Sequence, residues 1–167
     1  MLAPPVIKSV GIDLNNDGVY DQWNITMRVR KPEADLKLSQ ASLIAAFDYQ
    51  TRGTVKMQME SLAVAQIRIP SGSDKICASK VTTSGTLKLK QTSALVDGVQ
   101  GGIRQLYNDN IFDQLEYQST DNLLREYFTT RNETTKYDYT KWVQYSANKD
   151  SLSHFVDFEM VVRIPFS

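Results

Sequence analysis

Strict alternation of apolar and polar side chains between Trp23 and Arg30 is the feature that most restricts the fold of this chain. The apolar members are Trp23, Ile25, Met27 and Val29, and the polar members are Asn24, Thr26, Arg28 and Arg30. A period of two places each set on one face of a β-strand, whereas a helix would scatter both sets around its circumference. The segment therefore predicts a half-buried strand.

Strand patterns recur along the rest of the chain. The alternating segments are Val55–Glu60, Leu87–Lys90 and Val156–Ile164, and the uniformly apolar segments are Leu43–Tyr49 and Leu62–Ile69. Uniformly apolar strands are typical of positions that are covered on both faces of a sheet. Several strands with polar outer faces predict an all-β fold, an antiparallel β-sandwich.

One segment, near residues 119–130, departs from period two and predicts a short helix. Ser119 or Thr120 can cap its N-terminus, and Asp121 lies in its first turn. The apolar residues then follow helical spacing, at Leu123, Leu124, Tyr127 and Phe128. We expect these four side chains to face the core.

The size of the chain predicts a single domain over residues 1–167. Its 167 residues, of which 41% are hydrophobic, suffice for one buried core and are few for two. Glycines and small polar residues predict a long loop over residues 97–110 and a turn-rich connection over residues 71–84.

Composition excludes several functional classes. Basic and acidic residues number 19 each, so the chain lacks the basic excess with which proteins bind nucleic acid. The single Cys77 and single His154 supply no disulfide framework and no Cys- or His-based metal site. Asp157 and Glu159 share one strand face and resemble an acid–base pair, but such a face is ordinarily solvated. With no nucleophile motif, we expect a non-enzymatic protein with no catalytic residues and no small-molecule substrate.

Oxygen-bearing side chains alternate in residues 13–21, ahead of the first clear strand. The candidate metal ligands are Asp13, Asn15, Asp17, Val19 and Asp21. Calcium loops place oxygen ligands at such alternate positions with glycine at the sixth, here Gly18, although the twelfth position is Asn24 instead of glutamate. Two interpretations stay open: the loop binds Ca²⁺, or it is a polar turn, which Asn and Asp also favour.

Two triplets satisfy the N-glycosylation pattern, Asn24-Ile25-Thr26 and Asn132-Glu133-Thr134. Asn132 directly follows the predicted helix in a polar stretch that we expect to be an exposed loop. Asn24 lies within a predicted strand. Asn132 is therefore the better candidate, provided that the domain enters the secretory pathway.

These segments also occur in a recognisable order. They are Asp13-Leu14-Asn15-Asn16-Asp17-Gly18, Phe47-Asp48-Tyr49, Val55-Lys56-Met57-Gln58-Met59, Gly85-Thr86-Leu87-Lys88-Leu89-Lys90-Gln91, Gly101-Gly102-Ile103, Arg131-Asn132-Glu133-Thr134-Thr135 and Val162-Arg163-Ile164-Pro165. In this order and spacing they resemble the region between the two membrane helices of the transmembrane protein 231 family. The resemblance covers nearly the whole chain.

The resemblance implies a location and a role. It implies a domain on the extracellular or luminal side of the ciliary membrane at the transition zone, flanked by two membrane helices. It further implies a scaffold role with tectonic-like subunits of the Meckel syndrome and tectonic complex, which forms the ciliary membrane diffusion barrier and supports ciliogenesis. A glycan on Asn132 is part of the same expectation.

Two alternatives stay open. The first is a secreted, calcium-stabilised β-sandwich that binds carbohydrate on aromatic residues such as Trp23 and Trp142. The second is a hydrolase with a scattered active site. Apolar spans of about 20 residues on both flanks of the full-length protein favour the scaffold, and a cleavable signal peptide favours the secreted module.

Overall fold

Eight β-strands, one 3₁₀ helix and one α-helix form the described part of the chain. A computed structural model describes residues 4–51, 56–70, 77–93, 102–107, 109–116, 119–146 and 152–165. The elements are β1 (Val6–Ile12), β2 (Gln22–Arg30), β3 (Gln40–Gln50), β4 (Met57–Arg68), β5 (Ala78–Gln91), β6 (Arg104–Leu106), a 3₁₀ helix (Ile111–Glu116), α1 (Thr120–Thr130), β7 (Glu133–Tyr145) and β8 (Phe155–Arg163). The prediction of an all-β fold with one short helix is confirmed.

The strands form two sheets, as a sandwich requires. One sheet has the order β1-β2-β8-β5-β7, and the other has the order β3-β4-β6. β2 is antiparallel to β1 and β8, but β5 is parallel to β8, and β6 is parallel to β4. Both sheets are therefore mixed, and the predicted antiparallel arrangement does not hold for these two parallel pairs. Parallel neighbours need a long crossover, which β6, α1 and β7 supply between β5 and β8.

The chain divides into two compact units. The first unit comprises Met1–Leu43, Ala65–Leu87 and Tyr137–Phe166, and the second comprises Ile44–Val64 and Lys88–Lys136, with Ser167. One domain over residues 1–167 stays a prediction.

Alternating residues of β8 supply much of the core of the first unit. Val156, Phe158, Met160 and Val162 are buried, whereas Asp157 and Glu159 between them are partly exposed. In the adjacent β5, Val81, Thr83 and Leu87 have no exposed surface. The hydroxyl of Tyr137 donates to the carbonyl oxygen of Val161 at 2.8 Å and so ties β7 to β8. The predicted strand over Trp23–Arg30 is confirmed, and the predicted strand over Val156–Ile164 is confirmed as far as Arg163.

β5 approaches β7 so closely at Gly85 that a side chain would not fit. A Cβ atom there would meet the carbonyl oxygen of Asp138 and lie 2.6 Å from the Cα atom of Tyr139. The predicted turn-rich connection over residues 71–84 is therefore wrong from Ala78 onward, while residues 71–76 lie outside the described residues. Small polar residues indicate a turn in the sequence, but here they allow close strand packing.

The helix α1 anchors the core of the second unit. Ser119 caps it by accepting a hydrogen bond from the backbone N–H of Asn122 at 3.3 Å. Leu123, Leu124 and Tyr127 are buried and pack in one cluster with Leu62 and Ile111. The predicted helix is confirmed, but Phe128 is 42% exposed, because it lies at the flank of the buried stripe and packs edge-on against Tyr127.

In the second unit, side chains satisfy the backbone of β4 where no described strand lies beside it. β6 pairs only with Met57–Met59. Beyond it, the hydroxyl of Tyr127 accepts the backbone N–H groups of Leu62 and Thr135, each at 3.2 Å. The hydroxyl of Thr135 donates to the carbonyl oxygen of Leu62 at 2.8 Å, and Arg131 donates to that of Glu60 at 3.2 Å. Buried backbone groups need such partners, so these side chains take the place of a strand.

In the first unit, β7 supplies three further donors along the same edge of β4 and to the segment just after it. Tyr139 donates to the carbonyl oxygen of Gln66 at 2.7 Å, Lys141 to that of Arg68 at 2.6 Å, and Tyr145 to that of Pro70 at 3.1 Å. All the carbonyl groups that accept these side-chain donors belong to even-numbered residues. The backbone groups of odd-numbered Met57 and Ile69 instead form hydrogen bonds on the side of β3. This division is expected, because successive residues of a strand direct their backbone groups to opposite sides.

Other strand predictions were partly wrong. The segment Leu43–Tyr49 is not covered on both faces: it lies in β3, the terminal strand of its sheet, and only Leu43 is buried. β6 falls inside the predicted long loop over residues 97–110. Val55 of the predicted segment Val55–Glu60 lies outside the described residues, and β4 begins at Met57.

Replacing Tyr127 with phenylalanine tests the capping of β4. Tyr127→Phe leaves two buried N–H groups without their acceptor, so we expect the free energy of unfolding to fall by about 2 kcal/mol or more. Tyr139→Phe is the matched control: its hydroxyl is exposed, water can replace it, and we expect a loss below about 1 kcal/mol. Urea unfolding measures both values, and equal losses would contradict the assignment.

Candidate calcium and glycosylation sites

The loop over residues 13–21 connects β1 to β2 and turns through two left-handed residues. Asn16 has a φ of 59° and Gly18 a φ of 86°. Glycine adopts this region without strain, and asparagine tolerates it better than most residues. The sequence Asn16-Asp17-Gly18 therefore suits a sharp reversal between two antiparallel strands.

The acidic and amide side chains of the loop accept hydrogen bonds from its own backbone. Asp13 accepts from the N–H groups of Asp17 at 3.3 Å and Gly18 at 2.8 Å. Asn15 accepts from the N–H of Asp17 at 3.0 Å, and Asp17 accepts from the N–H of Val19 at 2.9 Å. These contacts stabilise a polar turn in the manner usual for Asp and Asn.

Asp21 joins the loop to two strands. It is only 8% exposed, and its carboxylate accepts the N–H of Leu14 at 2.8 Å. Its backbone N–H donates to the carbonyl oxygen of Ile12 at 2.9 Å, and its carbonyl oxygen accepts the N–H of Ile164 at 2.7 Å. Asp21 therefore holds the end of β1 and the end of β8 beside the start of β2.

The loop conformation does not form a cation cage. Across the described ranges, no three His, Cys, Asp or Glu side chains come together in a way that could hold a metal ion. The oxygens of Asp13, Asn15 and Asp17 point at backbone donors of the loop, so a cation would compete with these hydrogen bonds. Calcium binding at Asp13, Asn15, Asp17, Val19 and Asp21 stays a prediction.

The first glycosylation candidate, Asn24, lies inside a three-strand ladder. It pairs in register with Val10 of β1 and Val161 of β8. Its side-chain oxygen accepts a hydrogen bond from Gln22 at 2.8 Å, and the residue is half-buried. A glycan there would project from the middle of a sheet face.

The second candidate, Asn132, lies at the junction between α1 and β7. Its side-chain amide donates to Glu133 at 2.8 Å, and its side-chain oxygen accepts from Ser93 at 2.9 Å. The expectation of an exposed loop is wrong: only Arg131 and Asn132 separate helix from strand, and Asn132 is half-buried. A glycosylated amide keeps one N–H, which can still donate to Glu133.

A polar and aromatic cluster surrounds Asn132, and the sequence patterns did not identify it. The guanidinium of Arg131 lies 4.5 Å from the ring centroid of Tyr107 and 5.2 Å from that of Tyr127. The hydroxyl of Tyr107 donates to Glu133 at 2.8 Å and accepts the backbone N–H of Asn132 at 2.9 Å. Arg131 stacks on both rings, a contact that favours arginine over lysine. The cluster therefore fixes the backbone at the glycosylation candidate.

The carboxylates that resemble an acid–base pair lie in ion pairs on the outer face of the first sheet. Asp157 accepts two hydrogen bonds from Arg28, at 2.7 and 3.1 Å, and Glu159 lies 2.9 Å from Lys80. The hydrogen bond from Arg28 lowers the pKa of Asp157 below its ordinary value, against a smaller opposing effect of burial. Asp157 is thus held ionised, which suits a surface pair better than a general acid. The absence of enzymatic activity stays a prediction.

The aromatic residues proposed for sugar binding lie in different surroundings. Trp23 is half-buried, with its ring 5.0 Å from that of Tyr20 in an edge-on contact. Trp142 of β7 is exposed. Carbohydrate binding stays a prediction.

Comparison with known proteins gives one match. A family model described as "Transmembrane protein 231" matches residues 1–166. No curated protein and no solved structure matches the chain significantly. Within the described ranges, none of the helices has the length and apolar character needed to cross a membrane.

Replacing Asp21 with alanine tests its role in the loop. In the presence of a chelator, we expect Asp21→Ala to lower the free energy of unfolding by about 1 to 3 kcal/mol, because the N–H of Leu14 loses a partly buried acceptor. Asp17→Ala, at an exposed position, is the control and should cost less than about 1 kcal/mol. A larger effect of Asp17→Ala than of Asp21→Ala would contradict this account.

A comparison of the wild type with Asp17→Ala distinguishes the open interpretations of the loop. If it binds calcium, a calcium concentration about tenfold above the dissociation constant stabilises the fold by about 1.4 kcal/mol. Melting temperature should then rise with calcium in the wild type and not in Asp17→Ala. If the wild type melts at the same temperature in calcium and in chelator, the loop is a polar turn that does not bind calcium.

The Arg28–Asp157 pair predicts a pH dependence of known sign. Because the folded state lowers the pKa of Asp157, its contribution to stability is present above the ordinary value of about 3.8 and is lost as pH falls through the folded value. Arg28→Gln should raise the pKa of Asp157 towards 3.8, as NMR titration of its carboxyl carbon would measure. Arg30→Gln, which replaces another exposed arginine of β2, should leave it unchanged.

Proposed function

The chain belongs to the transmembrane protein 231 family, and on that premise we propose that it is the extracellular or luminal domain of a two-pass membrane protein at the ciliary transition zone. The match to the family model over residues 1–166 is the observation that carries the proposal. In the full-length protein, one membrane helix precedes the domain and another follows it.

The domain acts as a non-enzymatic scaffold for other subunits. Its partners are tectonic-like proteins of the Meckel syndrome and tectonic complex, and its role is to support the ciliary membrane diffusion barrier and ciliogenesis. Two surface features support this role. The outer-face carboxylates are engaged in ion pairs, and exposed large apolar side chains concentrate in residues 6–20, at Val6, Ile7, Val10, Leu14, Val19 and Tyr20. Such apolar surface is typical of protein contacts.

On this proposal, the strand directions support one orientation of the domain relative to the membrane. Val6 at the start of β1 aligns, through Arg28, with Asp157 of β8, whereas Ile12 aligns, through Gln22, with Arg163 at the end of β8. The start of β1 and the end of β8 are therefore at opposite ends of the strands, roughly 20 Å apart. With both flanks leading into one bilayer, these strands would run along the membrane surface.

Glycan mapping tests the topology. In the full-length protein made in ciliated cells, we expect Asn132 to carry the main glycan, because it lies at a chain junction, whereas Asn24 lies in the middle of a ladder. Asn132→Gln should abolish the glycosidase-sensitive mobility shift, and Asn24→Gln is the matched control. Occupancy at neither site would contradict the luminal placement.

Location tests the scaffold role. A tag inserted at the start of the domain should be accessible outside intact, non-permeabilised cells and should concentrate at the base of the cilium. Loss of the protein should let membrane proteins that the barrier excludes enter the cilium, and the wild-type chain should restore exclusion. A tag that reports a cytosolic location, or a protein spread evenly over the plasma membrane, would contradict the proposal.

A further inference from the structure

The edge of β1 is exposed, apolar and open. Among the described residues, β1 is the terminal strand of the five-stranded sheet and pairs with β2 alone. Val6, Ile7 and Val10 are 61%, 56% and 58% exposed. Proteins normally protect such an edge, because its free N–H and C=O groups can pair with another strand.

The strands β4 and β1 differ in how their free backbone groups are covered. Side chains of α1 and β7 occupy the free edge of β4, whereas no described side chain covers the edge of β1 in this way. Within the described part of the chain, the one hydrogen bond to β1 from outside its ladder with β2 comes from Asp21, at the last residue Ile12. Pro4 and Pro5 lie just before the strand and leave its seven residues uninterrupted.

The positive charge of Lys8 makes the edge of β1 favour an acidic partner. Lys8 lies between Val6 and Val10 on the same strand face, at the rim of a groove of about 430 Å³. The acidic groups of this groove, Asp157 and Glu159, already pair with Arg28 and Lys80. Among the described residues, Lys8 has no ion-pair partner, so the groove has one positive charge more than its negative charges.

We propose that β1 docks an extended segment of a partner protein as an additional strand of the sheet. The segment has an acidic side chain opposite Lys8 and apolar side chains two residues away on either side, facing Val6 and Val10. The backbone of the segment forms hydrogen bonds with the free N–H and C=O groups of β1, and these bonds give affinity. Its alternate side chains contact those of β1 and give specificity. This inference depends on the proposed scaffold role in one respect, which is that a partner protein exists.

Two other occupants fit the edge less well. A second copy paired about Lys8 would place two lysines opposite each other, which is unfavourable across strands. The hydrocarbon of a bilayer offers no hydrogen-bond partner to the free backbone groups of β1.

Labelled peptides test the docking directly. The probe Gly-Thr-Val-Thr-Glu-Ser-Val-Thr-Gly, capped at both ends, has one acid between two valines on one face, and a matched probe has lysine in place of the glutamate. Fluorescence anisotropy with the 167-residue chain should show about tenfold tighter binding of the acidic probe. Lys8→Glu should reverse this preference, while Lys136→Glu on β7 should leave it unchanged.

Two further versions of the acidic probe test strand addition itself. One is N-methylated at its odd residues and the other at its even residues. Because only alternate N–H groups of an added strand face its neighbour, one version should lose binding and the other should retain it. Hydrogen exchange should show protection by the unmethylated probe confined to residues 6–12.

Several results would overturn the proposal. The first two are a lack of saturable binding of either probe and equal affinity for both probes. The third is retained binding of both methylated versions. The fourth is sedimentation of the protein with phosphatidylserine vesicles that Lys8→Glu abolishes. The last would assign β1 to a membrane surface. If the probes fail while the tagged protein still concentrates at the ciliary base, only the docking edge is wrong. If the probes bind while the protein lies elsewhere, only the proposed location is wrong.

Discussion

The fold depends on hydrogen bonds from side chains to the backbone of β4. Beyond its short pairing with β6, β4 has backbone groups that face away from β3, and a buried unpaired group costs about 1 to 3 kcal/mol. In the second unit, Tyr127 and Thr135 satisfy both groups of Leu62. α1 and the start of β7 lie against β4 at these hydrogen bonds, where Leu123 and Leu124 of α1 also pack in one apolar cluster with Leu62.

The two kinds of strand edge connect the fold to its proposed role. The edge of β4 is closed by polar side chains, of which Tyr127 and Thr135 are buried and cannot easily be replaced by another chain. β1 carries exposed valines and a lysine that has no ion-pair partner among the described residues, along an edge that no described strand covers. A scaffold in a membrane complex needs one surface that does not aggregate and another that recognises a partner, and strand edges of both kinds meet that need.

The sequence predicted the elements whose periodicity comes from apolar residues. β2, β8 and α1 each carry a pattern that burial determines, so the predictions over Trp23–Arg30 and residues 119–130 were confirmed, and that over Val156–Ile164 was confirmed as far as Arg163. β5 was missed over Ala78–Thr86, because Thr83 and Gly85 occupy its buried positions and read as turn residues. β7 was missed although Tyr137 and Tyr139 alternate with polar residues, a signal that a stricter search for aromatic alternation would have found. Tyr107 lies 26 positions before Glu133 in the sequence, and only the fold brings it beside Arg131 and Glu133. No local sequence pattern therefore reveals this cluster.

Residue-resolved hydrogen exchange of the 167-residue chain tests the central claim most directly. If side chains replace a strand along β4, the N–H of Leu62 should exchange as slowly as the ladder amides of β2 and β8, although no strand pairs with it there. Alternate amides of β1, which face its open edge, should exchange orders of magnitude faster. Fast exchange at Leu62, or slow exchange at every amide of β1, would contradict the account.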